Sequence, residues 1–215
     1  MPTELEQAKT RLFGSLRREL PGGRVLDAME KVPRELFVPA LSRHLSYEDI
    51  PLAIGEEQTI SQPYIVALMT QALELKEDDT VMELGTGSGY QAAILSLLAG
   101  RVYSVERVAS LAEKARTLLA SLGYGNVEVR LAGSVLGCAD EDPFDAIIVT
   151  AASPRLPQVL LEQMAQGGRL VIPVGSHQEQ GLVKVVKTDD GYSISNLGPC
   201  RFVPLLGKGV WDEPR

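Results

Sequence analysis

The sequence predicts a three-layer α/β fold: a mostly parallel sheet covered on both faces, with an antiparallel C-terminal edge and an N-terminal helical cap. Three observations carry this. From Thr80 onward, short apolar runs alternate with segments of helical period, the pattern of βα units whose right-handed crossovers build a parallel sheet. Two of those runs, Asp-Ala-Ile-Ile-Val-Thr at 145–150 and Arg-Leu-Val-Ile-Pro-Val at 169–174, are apolar almost throughout, as doubly covered strands are. Near the end, two further runs flank Asp189-Asp190-Gly191, a hairpin signal.

The elements follow in order. Leu5, Ala8, Leu12, Leu16 and Leu20 recur at helical spacing, so residues 4–20 form an amphipathic helix that Pro21-Gly22-Gly23 ends. A short helix, 25–32, runs into Pro33. From there to Ile60 the chain reads as irregular, punctuated by Pro39, Pro51 and Gly55. An irregular stretch that long inside a compact domain is more often functional than idle. Proline is favoured at the first helical position, so a helix starts at Pro63 and runs to residue 75, with Ile65, Leu68, Met69, Ala72 and Leu73 on its buried stripe. Strands are predicted at 80–84, 101–106, 127–132, 145–150 and 169–174, and helices at 90–99, 108–121 and 157–166. The hairpin joins 182–188 to 192–197, and 201–206 reads as a last short strand.

The 215 residues suit one domain. Within it, 1–75 is read as the helical cap and its long loop, 76–180 as the βα core, and 181–215 as the C-terminal hairpin and the segment after it. A net charge of −7 argues against broad nucleic-acid binding. No apolar run approaches the roughly 20 residues needed to span a bilayer, and the acidic start Met1-Pro-Thr-Glu-Leu-Glu does not read as a signal peptide. Cys138 and Cys200 are too few for a disulfide framework and lack metal-ligand spacing, which suits a cytoplasmic protein. His44 and His177 lie far apart in sequence, and nothing recommends a zinc site or a serine triad.

The chemistry concentrates in Val81-Met-Glu-Leu-Gly-Thr-Gly-Ser-Gly-Tyr90. An apolar run enters, glycines alternate at 85, 87 and 89, and a helix-forming segment leaves. Glycine serves where backbone must turn sharply or approach a ligand closely, and a helix start offers unpaired N–H groups to an anion. Glu83 adds a negative charge, so the loop suits a ligand carrying both a carboxylate and a cation. The G-x-G-x-G spacing departs from the dinucleotide fingerprint G-x-G-x-x-G, and no phosphate-loop lysine follows. Glu106 closes the next strand about 20 residues past Gly85, where an acid meets a bound ribose. Ser61 lies just before Pro63, at the mouth of a helix, where a serine either caps or serves a substrate.

Several segments carry a resemblance: Val32-Pro-Arg-Glu-Leu-Phe-Val-Pro39, Tyr47-Glu-Asp-Ile-Pro51, Gln58-Thr-Ile-Ser-Gln-Pro-Tyr64, residues 83–91, Tyr103-Ser-Val-Glu-Arg107, residues 144–152, residues 167–175 and Arg201-Phe-Val-Pro-Leu205. In this order, across nearly the whole chain, they resemble the protein-L-isoaspartate O-methyltransferase family. The resemblance implies a Rossmann-like methyltransferase fold and a protein-repair reaction. The methyl donor is S-adenosyl-L-methionine, which leaves as S-adenosyl-L-homocysteine, and the acceptor is the α-carboxylate of an L-isoaspartyl residue in a damaged protein. It implies Ser61 as the active-site residue. Glu83, Gly85, Thr86, Gly87, Ser88, Gly89, Glu106 and Gly133 would hold the cofactor, and Thr59, Ile60, Val203 and Pro204 the peptide. No metal is implied, and the expected protein is a cytoplasmic monomer acting on isoaspartyl peptides and proteins without nucleic acid or membrane.

Three departures stand against the family pattern. Ala132-Gly133-Ser134 replaces Gly-Asp-Gly, whose acid contacts the adenine amino group; one lost hydrogen bond is worth about 1 kcal/mol, or up to about 3 where a partner stays buried. Asp140 and Asp142 are candidates to replace it. Ala53 and Glu57 stand where the family more often has Pro and Gly. Two alternatives follow: a methyltransferase of the same fold acting on a small molecule, ribosomal peptide or RNA, and a weakly catalytic module that binds damaged protein segments.

Overall fold

The computed structural model describes residues 2–20 and 23–211. Helix α1, Glu4–Glu19, opens with a capping box in which the Thr3 hydroxyl accepts from the Glu6 N–H and the Glu6 carboxylate accepts from the Thr3 N–H. Of its stop signal, Pro21 and Gly22 lie outside the described residues, and α2 runs Gly23–Lys31. Short 3-10 helices follow at Arg34–Leu36 and Ala40–Leu45.

The stretch 33–60, expected to be irregular, instead contains a hairpin of β1, Leu52–Gly55, and β2, Gln58–Ile60. Its turn is built from Glu56 and Glu57 at φ 52° and 56°, a left-handed pair that Asn-Gly would ordinarily announce. Without that signal, and with strands this short, the hairpin is invisible to pattern. Helix α3 is Pro63–Ala72.

The core then alternates as expected: β3 Thr80–Leu84, α4 Tyr90–Ser96, β4 Arg101–Glu106, α5 Ala109–Ser121, β5 Val127–Leu131, β6 Phe144–Val149, α6 Gln158–Glu162, β7 Met164–Gly175, β8 Gln180–Thr188 and β9 Gly191–Cys200. The sheet order is β5-β4-β3-β6-β7-β8-β9, parallel from β5 to β7 and antiparallel beyond. This is the Rossmann-like sheet with an antiparallel edge. Helix α6 is shorter than the 157–166 prediction because Met164 already pairs with Phe144, whose N–H donates to the Gln163 carbonyl. Residues 201–206 form no continuous strand; they are tied to the end of β6 by Ala152 N–H to Val203 O and Leu205 N–H to Ala152 O, both 2.7 Å.

Strand alternation sorts the core into two faces. Val81, Val102, Ala146, Ile148 and Val171 pack under α3 and α4, while Met82, Tyr103, Ile147, Leu170 and Ile172 pack with Leu160 and Leu161 of α6. Chain order reverses between β3 and β6, so the crevice for a ligand lies beyond the carboxyl ends of those strands.

At the opposite edge a nearly sealed ion pair joins Arg169 of β7 to Asp79 before β3. Arg169 Nε also donates to Leu73 O (2.8 Å), and Asp79 accepts from the Lys76 N–H (2.9 Å). Removing one partner of a buried pair strands the other charge. We expect Asp79→Ala to cost about 3–5 kcal/mol in urea unfolding at pH 7; a loss below about 1 kcal/mol would show that the pair is dispensable.

Candidate active site

A cavity of about 1140 Å³ opens along the carboxyl edge, lined by the glycine loop, the end of β4, residues 132–137, the β1–β2 hairpin and residues 199–208. Its floor turns at Gly85. The Thr150 hydroxyl donates to Leu84 O (3.0 Å) and Gly85 O (2.7 Å). A Cβ on Gly85 would lie 2.2 Å from that oxygen, and φ is +101°, so only glycine fits.

Gly87 turns again at φ +52°, and its N–H donates to Glu106 Oε2 (2.8 Å) while the Val108 N–H donates to Oε1 (2.9 Å). Glu106 therefore holds the loop to the start of α5, and each of its oxygens keeps a lone pair for a further donor. Thr86, Ser104 and Glu83 form one hydrogen-bonded line with both spacings at 2.5 Å. Burial pushes the Glu83 carboxyl up to about 8 against the Ser104 hydrogen bond, and the Glu106 charge pushes the same way. Its second oxygen, Oε1, is buried without a partner. An orphaned acid oxygen on this cavity fits a ligand that brings a cation.

Gly89 does not line the cavity. A Cβ there would meet Leu119 and Ala115 at 3.3 and 3.4 Å, so this glycine lets the loop pack on α5. Gly133 does line it, with nothing within 4 Å of a built Cβ. Asp140 is engaged by Arg130 at 2.9 Å, and neither it nor Asp142 lines the cavity, so neither replaces an acid at 133.

Ser61 follows β2 directly, half-buried on the cavity wall with Thr59 and Ile60. It does not cap α3. The N-cap is Gln62, without a side-chain cap bond, and the Tyr64 N–H is satisfied by Asp49 Oδ1 at 2.8 Å, from 15 residues upstream. Among the described residues no hydrogen bond engages the Ser61 hydroxyl. Val203 and Pro204 line the same cavity. The hairpin covers the floor: Ile54 reaches 3.3 Å from where a Gly87 Cβ would lie, and the Ser110 hydroxyl donates to Glu56 Oε1 at 2.8 Å. Sequence pattern did not single out Asp49 or Ser104; Asp49 lies in the quoted Tyr47-Glu-Asp segment, and Ser104 inside a strand run gives no signal. Neither histidine lines the cavity, and no cluster of three metal-binding side chains occurs among the described residues.

Sheet order, an acid-flanked glycine loop and an acid ending the next strand define a Rossmann-like methyltransferase. Residues 7–209 match the family described as protein-L-isoaspartate(D-aspartate) O-methyltransferase, and the chain belongs to that family. It is 56% identical over 189 residues to protein-L-isoaspartate O-methyltransferase 1 of Syntrophobacter fumaroxidans, covering 88% of each chain. A solved protein-L-isoaspartate O-methyltransferase is similar at a TM-score of 0.83 and 29% identity, covering 94% of this chain and 67% of that one. A Plasmodium falciparum structure, titled a putative enzyme of this kind in complex with S-adenosyl-L-homocysteine, shares the fold at a TM-score of 0.77 and 24% identity, covering 90% of this chain and 95% of that one.

The raised Glu83 value has a consequence for stability. Between the unfolded value near 4.5 and the folded value near 8, the folded state keeps a proton that the unfolded state has lost. Stability from this group is therefore full below about pH 4.5 and falls as pH rises to about 8. Glu83→Gln removes the titration, so in ligand-free protein the variant should gain on wild type by a few kcal/mol between about pH 5 and 9. A pH-independent difference in unfolding free energy would contradict it.

Proposed function

We infer that this cavity carries out the repair reaction of the family, with Ser61 at the acceptor end and the glycine loop at the donor end. The enzyme transfers a methyl group from S-adenosyl-L-methionine to the α-carboxylate of L-isoaspartyl residues in damaged proteins. One observation carries the site assignment: Ser61, with its uncommitted hydroxyl, and Glu83, with its orphaned oxygen, line the same cavity.

When bound, S-adenosyl-L-methionine supplies an electrophilic methyl group on a sulfonium centre. The chain's residues place it. Glu83 would accept from its amino-acid ammonium, the free lone pairs of Glu106 from its ribose hydroxyls, and Gly85, Thr86, Gly87 and Ser88 would let backbone approach it closely. Gly133 leaves open space on the adenine side. At the other end the Ser61 hydroxyl donates to the substrate carboxylate and sets its line of approach, while Thr59, Ile60, Val203 and Pro204 cover the peptide. A carboxylate is already ionised at pH 7, so no general base is required, and catalysis comes from positioning and exclusion of water.

The isoaspartyl peptide is read as the sole macromolecular partner of a cytoplasmic monomer. The charge of −7 supports the exclusion of nucleic acid. No helix among the described residues is long and apolar enough to cross a membrane.

Labelled S-adenosyl-L-methionine offered with a matched aspartyl and isoaspartyl peptide should give base-labile methyl transfer to the isoaspartyl peptide alone; transfer to neither overturns the reading. Ser61→Ala should lower turnover on the order of 10–100-fold with cofactor affinity unchanged, and an unchanged rate removes Ser61 from the chemistry. Gly133→Asp adds an acceptor in open space at unstrained backbone. Calorimetry should show cofactor binding tightened roughly fivefold, about 1 kcal/mol; weaker binding would contradict the placement of Gly133 beside the adenine.

A further inference from the structure

We propose that Arg34 and Asp49 form a two-sided clamp that positions Ser61, Arg34 from inside the protein and Asp49 from the surface. The inference rests on the reading of Ser61 as the acceptor-end residue and names what holds it in place.

Arg34 is the largest fully buried side chain, at 0% exposure. A buried cation is costly unless it is paired, yet no ion pair with Arg34 occurs among the described residues. Its donors go to backbone instead. Nε donates to Ser46 O at 2.9 Å and Nη2 to Ser61 O at 2.7 Å, while the guanidinium carbon stands 4.8 Å from the centre of the Tyr90 ring. The third nitrogen, Nη1, is buried without a partner. Well-packed apolar residues often replace buried charges without loss of stability, so space filling does not explain an arginine here. What arginine alone supplies is a rigid planar fork, and this fork fixes the Ser61 carbonyl relative to the Ser46 carbonyl.

Asp49 completes the hold. One carboxylate oxygen accepts from the Tyr64 N–H and the other from Gln62 Nε2, both at 2.8 Å. The peptide unit between Ser61 and Gln62 is thus gripped before and after, while β2 pairing fixes Ile60 opposite Leu52. The Cα–Cβ direction of Ser61 follows from this grip, and its hydroxyl is left uncommitted. Neither clamp residue lines the cavity. They are positioning residues.

Arg34→Lys keeps the charge and loses the fork; Asp49→Ala opens the exposed side. Each is made in wild type and in Ser61→Ala, with kcat and KM measured on an isoaspartyl peptide and S-adenosyl-L-methionine affinity and stoichiometry by calorimetry. The clamp requires a fall in kcat on the order of 10–100-fold, with cofactor affinity and stoichiometry at wild-type values, and a further loss of less than about twofold once Ser61 is alanine. Losses that multiply in the Ser61→Ala background overturn the clamp and leave Ser61's role intact. So does a loss explained wholly by fewer cofactor-competent molecules. Full activity in Ser61→Ala alone overturns the Ser61 reading instead. If Arg34→Lys fails to fold, Asp49→Ala decides, and full activity there overturns the clamp.

Discussion

The site depends on one close approach, that of the Thr150 hydroxyl to the backbone of Gly85. Thr150 donates to two successive carbonyls at the end of β3, and no side chain fits where it stands. That contact ties the end of β3 to the residue just after β6, the two strands between which the chain order reverses. With the turn fixed at Gly85, the Gly87 N–H meets Glu106, and Thr86 meets Ser104 and through it Glu83. The loop is thus a small rigid frame set by the sheet, as a site that must place a reacting atom closely requires.

Charges of opposite sign flank the cavity: two acids on its lining and a buried guanidinium behind Ser61. Glu83 and Glu106 lie on the cavity lining. Behind Ser61 is Arg34, whose guanidinium forms no ion pair among the described residues. Alone, each end is electrostatically unfavourable: burial drives Glu83 toward its neutral form, and the Arg34 charge is desolvated. Filling the site would relieve the donor end by giving Glu83 a counter-charge.

Much of this was legible in the sequence because its signals are local. The five parallel strands, the glycine loop and Glu106 follow from hydrophobic runs and from spacing along one βαβ unit. The hairpin over the loop was not legible, since Glu56 and Glu57 adopt left-handed backbone without a glycine to mark it. Nor was the capping of α3: Ser61 stood at a plausible cap position, but Asp49 reaches across the fold to take that role. Nothing in the sequence marks Arg34 as buried, and only tertiary packing shows it sealed under Ser61. Gly89 illustrates the converse, since an alternating glycine beside two cavity-lining ones is spaced for helix packing. Contacts distant in sequence set all four.

The walls of the cavity are held with unequal strength. The floor is set by buried hydrogen bonds within the sheet, and the 201–206 wall by two 2.7 Å backbone bonds to Ala152. The hairpin roof has β1–β2 pairing, one exposed hydrogen bond from Ser110 to Glu56 and the Ile54 contact over Gly87. It also carries two adjacent non-glycine residues at positive φ, each costing on the order of 1–3 kcal/mol. Such strain persists only where surrounding contacts over-determine it, and here those contacts run to the glycine loop and α5. The roof is therefore held to the floor by fewer contacts than the floor has within the sheet, and it carries backbone strain that the floor offsets. It is also the wall that runs directly into Thr59, Ile60 and Ser61, so the element covering the glycine loop is continuous with the segment that carries Ser61.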